Sequence, residues 1–126
     1  MPGYSIFLSI KYFIQMKITN HDNYVILADE QDDISDFASF LEYQIPKKFK
    51  GQNVIVDLLK YDTLQLEELL QFLKVSNLHR KTKHSFVLVN NAISPDVIPM
   101  EMIVVPTVQE ASDIVDMEEI ERDLGF

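Results

Sequence analysis

Three short, nearly uninterrupted apolar runs constrain this chain more than any other feature. They are Val54-Ile55-Val56 within residues 53–59, Phe86-Val87-Leu88-Val89 within 85–89, and Met102-Ile103-Val104-Val105. A strand with one wet face alternates apolar and polar residues. A continuous β-branched run bounded by turn formers suits a strand covered on both faces, as in a parallel sheet. Between and after the runs the apolar spacing changes to threes and fours. Leu66, Leu69, Leu70, Leu73 and Leu78 predict a helix over 64–79, with Glu67 and Glu68 well placed in its first turn. Val108, Ala111, Ile114 and Val115, then Met117 and Ile120, predict a last helix, opened by Thr107 and Glu110 as a capping box.

The N-terminal half completes the pattern. Lys17–Thr19 and Tyr24–Asp29 are β-type runs around the turn formers Asn20-His21-Asp22-Asn23, which predicts a hairpin. Ile34, Phe37, Ala38, Phe40, Leu41 and Ile45 predict an amphipathic helix, capped by Asp33 or Ser35 and ended by Pro46. The order is ββαβαββα. Strands alternating with helices imply right-handed crossovers and an α/β fold: a mixed, largely parallel sheet of four to five strands with three to four helices. With no repeat, low-complexity stretch or linker, residues 16–126 form a single domain ending in an acidic helix. Residues 1–15 are an N-terminal extension or an extra edge strand. Their apolar run has no preceding basic segment and no small-residue cleavage site, unlike a secretory signal, and Met16 opens MKITNHDNYVILADE in the manner of a protein start.

Composition narrows the function. At 126 residues and 47% hydrophobic, the chain can build one core without staples. It has no cysteine, so neither disulfides nor thiolate zinc sites arise within it. A net charge of −9 repels polyanions and makes nucleic acid a poor partner. No run approaches the roughly 20 apolar residues that span a bilayer, and a cytoplasmic location is expected. His21, His79 and His84 lack any metal-ligand spacing and read as surface histidines. The glycines, at 3, 51 and 125, leave no phosphate-cradling loop, and there is no G-x-S-x-G elbow. The expectation is a non-enzyme without metal or cofactor.

Two charged surfaces stand out. Lys74, His79, Arg80, Lys81, Lys83 and His84 form a basic cluster. It reads as cations satisfying a helix C-terminus, or as a dock for an acidic protein or RNA. Glu118, Glu119, Glu121 and Asp123 form an acidic tail, read as a solvated face or as a dock for a basic partner, with Leu124 and Phe126 as apolar anchors.

The segment NVIVDLLKYDTLQLEELLQFLK resembles the centre of the STAS domain, the fold of anti-sigma-factor antagonists. The family's buried strand matches Val54-Ile55-Val56-Asp57-Leu58. Its Asp-containing loop matches Asp62-Thr63-Leu64-Gln65-Leu66, and its helix begins at Glu67. The resemblance implies a protein-interaction module, non-enzymatic and regulatory, with a working surface at Asp62, Thr63, Leu64, Gln65, Glu67 and Glu68. It implies a protein partner, and a homodimer is a further form. In the family a loop Ser or Thr accepts a phosphate. Here Leu64 stands at the usual acceptor position and Gln65 at the motif Gly, which leaves Thr63 as the hydroxyl and weighs against a phosphoryl switch. Asp62 or Thr63 otherwise reads as a helix cap. The stretch LLQFLKVSNLHRKTKHSFVLVNNAI and the ending MEEIERDLGF also resemble short proteins of Bacteroidetes-type bacteria labelled ribonuclease Z. That nuclease's H-x-H-x-D-H zinc motif has no counterpart here. The label implies an accessory role in RNA processing, through the basic cluster, and not nuclease activity.

Overall fold

In the computed structural model, residues 16–125 are described. The expected extension at 1–15 and the anchor Phe126 lie outside them. Five strands pair in chain order: β1 (Met16–Asn20), β2 (Val25–Asp29), β3 (Val54–Asp57), β4 (Phe86–Val89) and β5 (Val104–Val105). The β1–β2 hairpin is antiparallel, and β2, β3, β4 and β5 run parallel. The helices are α1 (Ile34–Lys48), α2 (Leu66–Leu69), α3 (Leu73–Arg80) and α4 (Val108–Asp123). A 3₁₀ turn, Leu70–Phe72, joins α2 to α3.

Alternation along the central strands sorts the core into two layers. Val54, Val56, Phe86 and Leu88 face Phe37, Leu41, Ile45, Leu69, Phe72 and Val75 of the α1–α3 layer. Ile55, Val87 and Val89 face Ala111 and Val115 of α4. Both faces are covered, which is why these strands read as continuous apolar runs. Each fully buried Leu, Ile, Val or Phe contributes about 1.5–3 kcal/mol.

Four local expectations change. Pro46 lies inside α1 instead of ending it. It removes one rung in the last turn, and the ladder resumes when Phe49 N–H donates to the Ile45 carbonyl at 3.0 Å. The helix expected from Leu64 begins at Leu66, and neither Asp62 nor Thr63 caps it. Gln65 does, and its N–H donates to Glu68 Oε1 at 2.9 Å. The reason is Leu64, which is buried in the same core as Leu69. An apolar residue before the cap packs beneath the first turn, so the chain stays extended there and the cap moves one residue on. The run 102–105 contributes only Val104–Val105 as strand, and both are half-buried, because the sheet ends there and Pro106 follows. His79, read as a surface residue, is buried. Elsewhere Asp33 caps α1 by accepting from Asp36 N–H at 3.0 Å, and Thr107 caps α4 by accepting from Glu110 N–H at 3.1 Å.

Candidate functional site

The parallel strands direct two sets of side chains to opposite ends of the sheet. At the C-terminal ends, the β3–α2 loop crosses above β2 and β4. Its backbone is held from several sides. Leu58 N–H donates to the Val89 carbonyl at 2.9 Å. Asn90, buried just after β4, donates from Nδ2 to the carbonyls of Leu58 and Tyr61 at 2.8 and 2.9 Å. Its Oδ1 accepts from the N–H groups of Ala92 and Ile93 at 2.9 and 3.0 Å, so the whole amide is committed. Tyr61 reaches across to β2, where its hydroxyl donates to Asp29 Oδ2 at 2.5 Å. Burial, then the hydrogen bond to Asp29, then the charges of Asp29, Asp32 and Asp33 push the phenol well above its ordinary value. Lys60 Nζ donates to the carbonyls of Asp29 and Gln31 and pairs with Asp32 at 3.0 Å.

On this frame the residues singled out from sequence divide. Asp62, Thr63, Gln65 and Glu67 are exposed, Glu68 is half-buried in its capping bond, and Leu64 is an anchor in the core. Leu70, at the start of the next turn, is also exposed. The result is a rigid loop with an acidic, hydroxyl-bearing outer edge.

The basic cluster does not stay together as a whole: Arg80, Lys83 and His84 line one pocket, and the others part from them. Lys74 pairs with Glu42 of α1 at 3.0 Å, and Arg80 pairs with Glu118 of α4 at 3.1 Å. His79 is 3% exposed, with Nε2–H donating to the Gln52 carbonyl at 2.6 Å. Burial holds its pKa below the ordinary value. The Gln52 bond opposes that shift and the nearby His84 adds to it. Lys81 and Lys83 stay exposed.

The acidic tail is likewise divided. Glu118 and Glu119 turn inward over the N-terminal ends of the strands, whereas Glu121 and Asp123 face solvent. Glu118 Oε1 accepts from Ser85 Oγ at 2.6 Å, and Glu119 accepts from the amides of Asn23 and Asn53 at 2.8 and 3.2 Å. Asn53, just before β3, organises this end. Its Oδ1 accepts from Ser85 N–H at 2.7 Å and from Arg122 Nη2 at 3.2 Å, while Nδ2 also donates to the Asn23 carbonyl at 2.9 Å.

Sequence reasoning missed Asn53, Asn90, Tyr61 and Asp29. The two asparagines did carry a signal, since each flanks a buried strand where a loop's backbone groups need partners.

No family model matches the chain, and no curated protein matches it. Among solved structures, an RsbS variant of Moorella thermoacetica superposes with a TM-score of 0.61. The match covers 86% of this chain and 98% of that one at 18% identity. RsbS is a STAS-domain protein of the anti-sigma-factor-antagonist kind. The five-stranded, largely parallel sheet, with α1–α3 on one face and α4 on the other, is a STAS-like fold.

Proposed function

We propose that this chain is a non-enzymatic, regulatory protein-interaction module of the anti-sigma-antagonist type, acting in the cytoplasm. Its working surface is the loop and helix start from Asp62 to Glu68. One observation carries the reading. The loop's backbone is clamped by Asn90 and by the Tyr61–Asp29 bond, while Asp62, Thr63, Gln65 and Glu67 are left outward. Side chains held on a rigid loop lose little entropy on docking. Among the described residues Asp62, Thr63 and Glu67 bond nothing with their side chains, and Gln65 takes part in the capping box with Glu68. The likeness to RsbS supports a protein partner. Asp62 and Glu67 favour a partner with a basic docking face. Phosphate on Thr63 would add charge beside both carboxylates and alter that docking.

The test is site-specific photo-crosslinking in the source cytosol from position 63, with position 96 on the Pro95–Val97 turn as the control. A partner captured from 63 and not from 96 should bind at least about tenfold more weakly to the Asp62→Lys, Glu67→Lys double variant. Equal capture from both positions, or unchanged affinity of the double variant, would sink the reading. The RNA-processing alternative has less support, because Lys74 is paired with Glu42, Arg80 with Glu118, and His79 is buried.

A further inference from the structure

A pocket opens where the end of α3 meets the end of α4, at the end of the sheet opposite the 62–68 loop. Its walls are Arg80, Lys83, His84 and Arg122, with Glu118 and Glu121 between them. Arg80 uses Nη2 on Glu118, but its Nη1 is buried and meets no acceptor among the described residues. A buried charged donor in that state is costly, and such groups are rare without a reason. Arg122 reaches only neutral oxygens, Asn53 Oδ1 at 3.2 Å and Ser85 Oγ at 3.5 Å, and forms no ion pair among the described residues.

His84 turns Nδ1–H to the Thr82 carbonyl at 3.0 Å, and its Nε2 has no partner among the described residues. That nitrogen donates when the ring is charged and accepts a hydroxyl proton when it is neutral. Lys83 sits at φ 63°, alone among the described non-glycine residues in having a positive φ. The position lies in the turn three residues past the end of α3, where glycine would fit without strain. The chain instead holds there a strained lysine with no carboxylate partner among the described residues.

Three permanent cations therefore face two carboxylates in a protein whose net charge is −9. The local excess is positive, and Lys83, His84 and Arg122 line the pocket without a carboxylate partner among the described residues. A carboxylate offers two oxygens, too few for such a set. A phosphate offers three or four, and arginine forks match its geometry. We infer that this pocket binds a phosphate group, either as the free ion or on a small phosphoester. The site is independent of the protein-docking loop, so either can fail without the other.

Inorganic phosphate and O-phosphoserine, titrated separately against the ¹⁵N-labelled chain at constant ionic strength, test the inference. Saturable amide shifts confined to residues 80–85 and 118–122 are expected. Tighter binding of O-phosphoserine assigns the phosphoester, and equal binding assigns the free ion. Lys83→Gly relieves the backbone strain, so it should keep or raise the thermal midpoint while weakening phosphate binding about tenfold, the loss of one charge-assisted bond. Arg122→Lys, which keeps the charge but loses the fork, should weaken it several-fold. Shifts that stay linear in phosphate and spread over Lys47, Lys48 and Lys50 would overturn the inference. So would unchanged affinity in both variants.

Discussion

The two ends of the sheet use their polar residues in opposite ways. At the N-terminal ends of the parallel strands, Asn53, Ser85, Glu118, Glu119 and Arg122 turn inward and bond one another. At the C-terminal ends, Asn90, Tyr61 and Asp29 bond the loop backbone, and the loop's own polar side chains face out. The first arrangement stabilises α4 against the sheet. The second stabilises a platform and leaves its edge free to touch something else. Function is therefore sought where polar groups are held in place but not consumed, and charge density alone is a poor guide.

The largest expected effect tests the inward end. Asn53→Ala removes four hydrogen bonds around a buried amide and leaves buried partners unmatched. It should destabilise the fold by about 3 kcal/mol in urea unfolding. Loss of under about 1 kcal/mol would show that α4 is held by its apolar face alone. Asn90→Ala at the other end should cost about 2 kcal/mol. It should also speed amide hydrogen exchange over residues 58–66 more than over α4, whereas Asn53→Ala should do the reverse. Equal acceleration of both regions would erase the distinction between the two ends.

Tyr61→Phe keeps the ring and removes the hydroxyl bonded to the buried Asp29, at a cost of about 1–2 kcal/mol. Here partner binding should weaken more than stability does, because the loop loses its tie to β2.

A pH titration probes the inward end by another route. His79 is depressed by burial below its ordinary 6.5, so the unfolded chain binds the extra proton first as pH falls. The stability that neutral, buried His79 provides is full above 6.5 and declines below it. Urea midpoints should fall as pH drops below about 6.5, and His79→Gln should flatten that slope. A slope unchanged by the substitution would assign the acid sensitivity to other groups.

The smallest effect is expected from Thr63→Ala, which should leave the unfolding midpoint unchanged within error because the side chain is exposed and bonds nothing among the described residues. A clear loss of stability would mean that the outer edge is structural after all.

Much of the architecture was legible from local pattern. The apolar runs at 54–56 and 86–89 announced strands buried on both faces, and the stepped leucines announced one helix over 64–79, which the structure divides into α2, a 3₁₀ turn and α3. The candidate site was legible only as a position. The Asp62–Thr63 loop could be placed after a strand and before a helix. The clamp that makes it rigid could not, because Asn90 and Asp29 lie 29 and 32 residues from Tyr61.

By itself, then, the sequence determined the order of elements, the parallel sheet and the covered faces, because hydrophobic period and turn chemistry act over a few residues. Tertiary structure decided which polar residues face out. Burial of Leu64 moved the α2 cap to Gln65, packing of α3 against the sheet hid His79, and docking of α4 turned Glu118 and Glu119 inward. Each outcome depends on a buried polar or apolar group finding a partner distant in the chain, and no local period encodes that meeting.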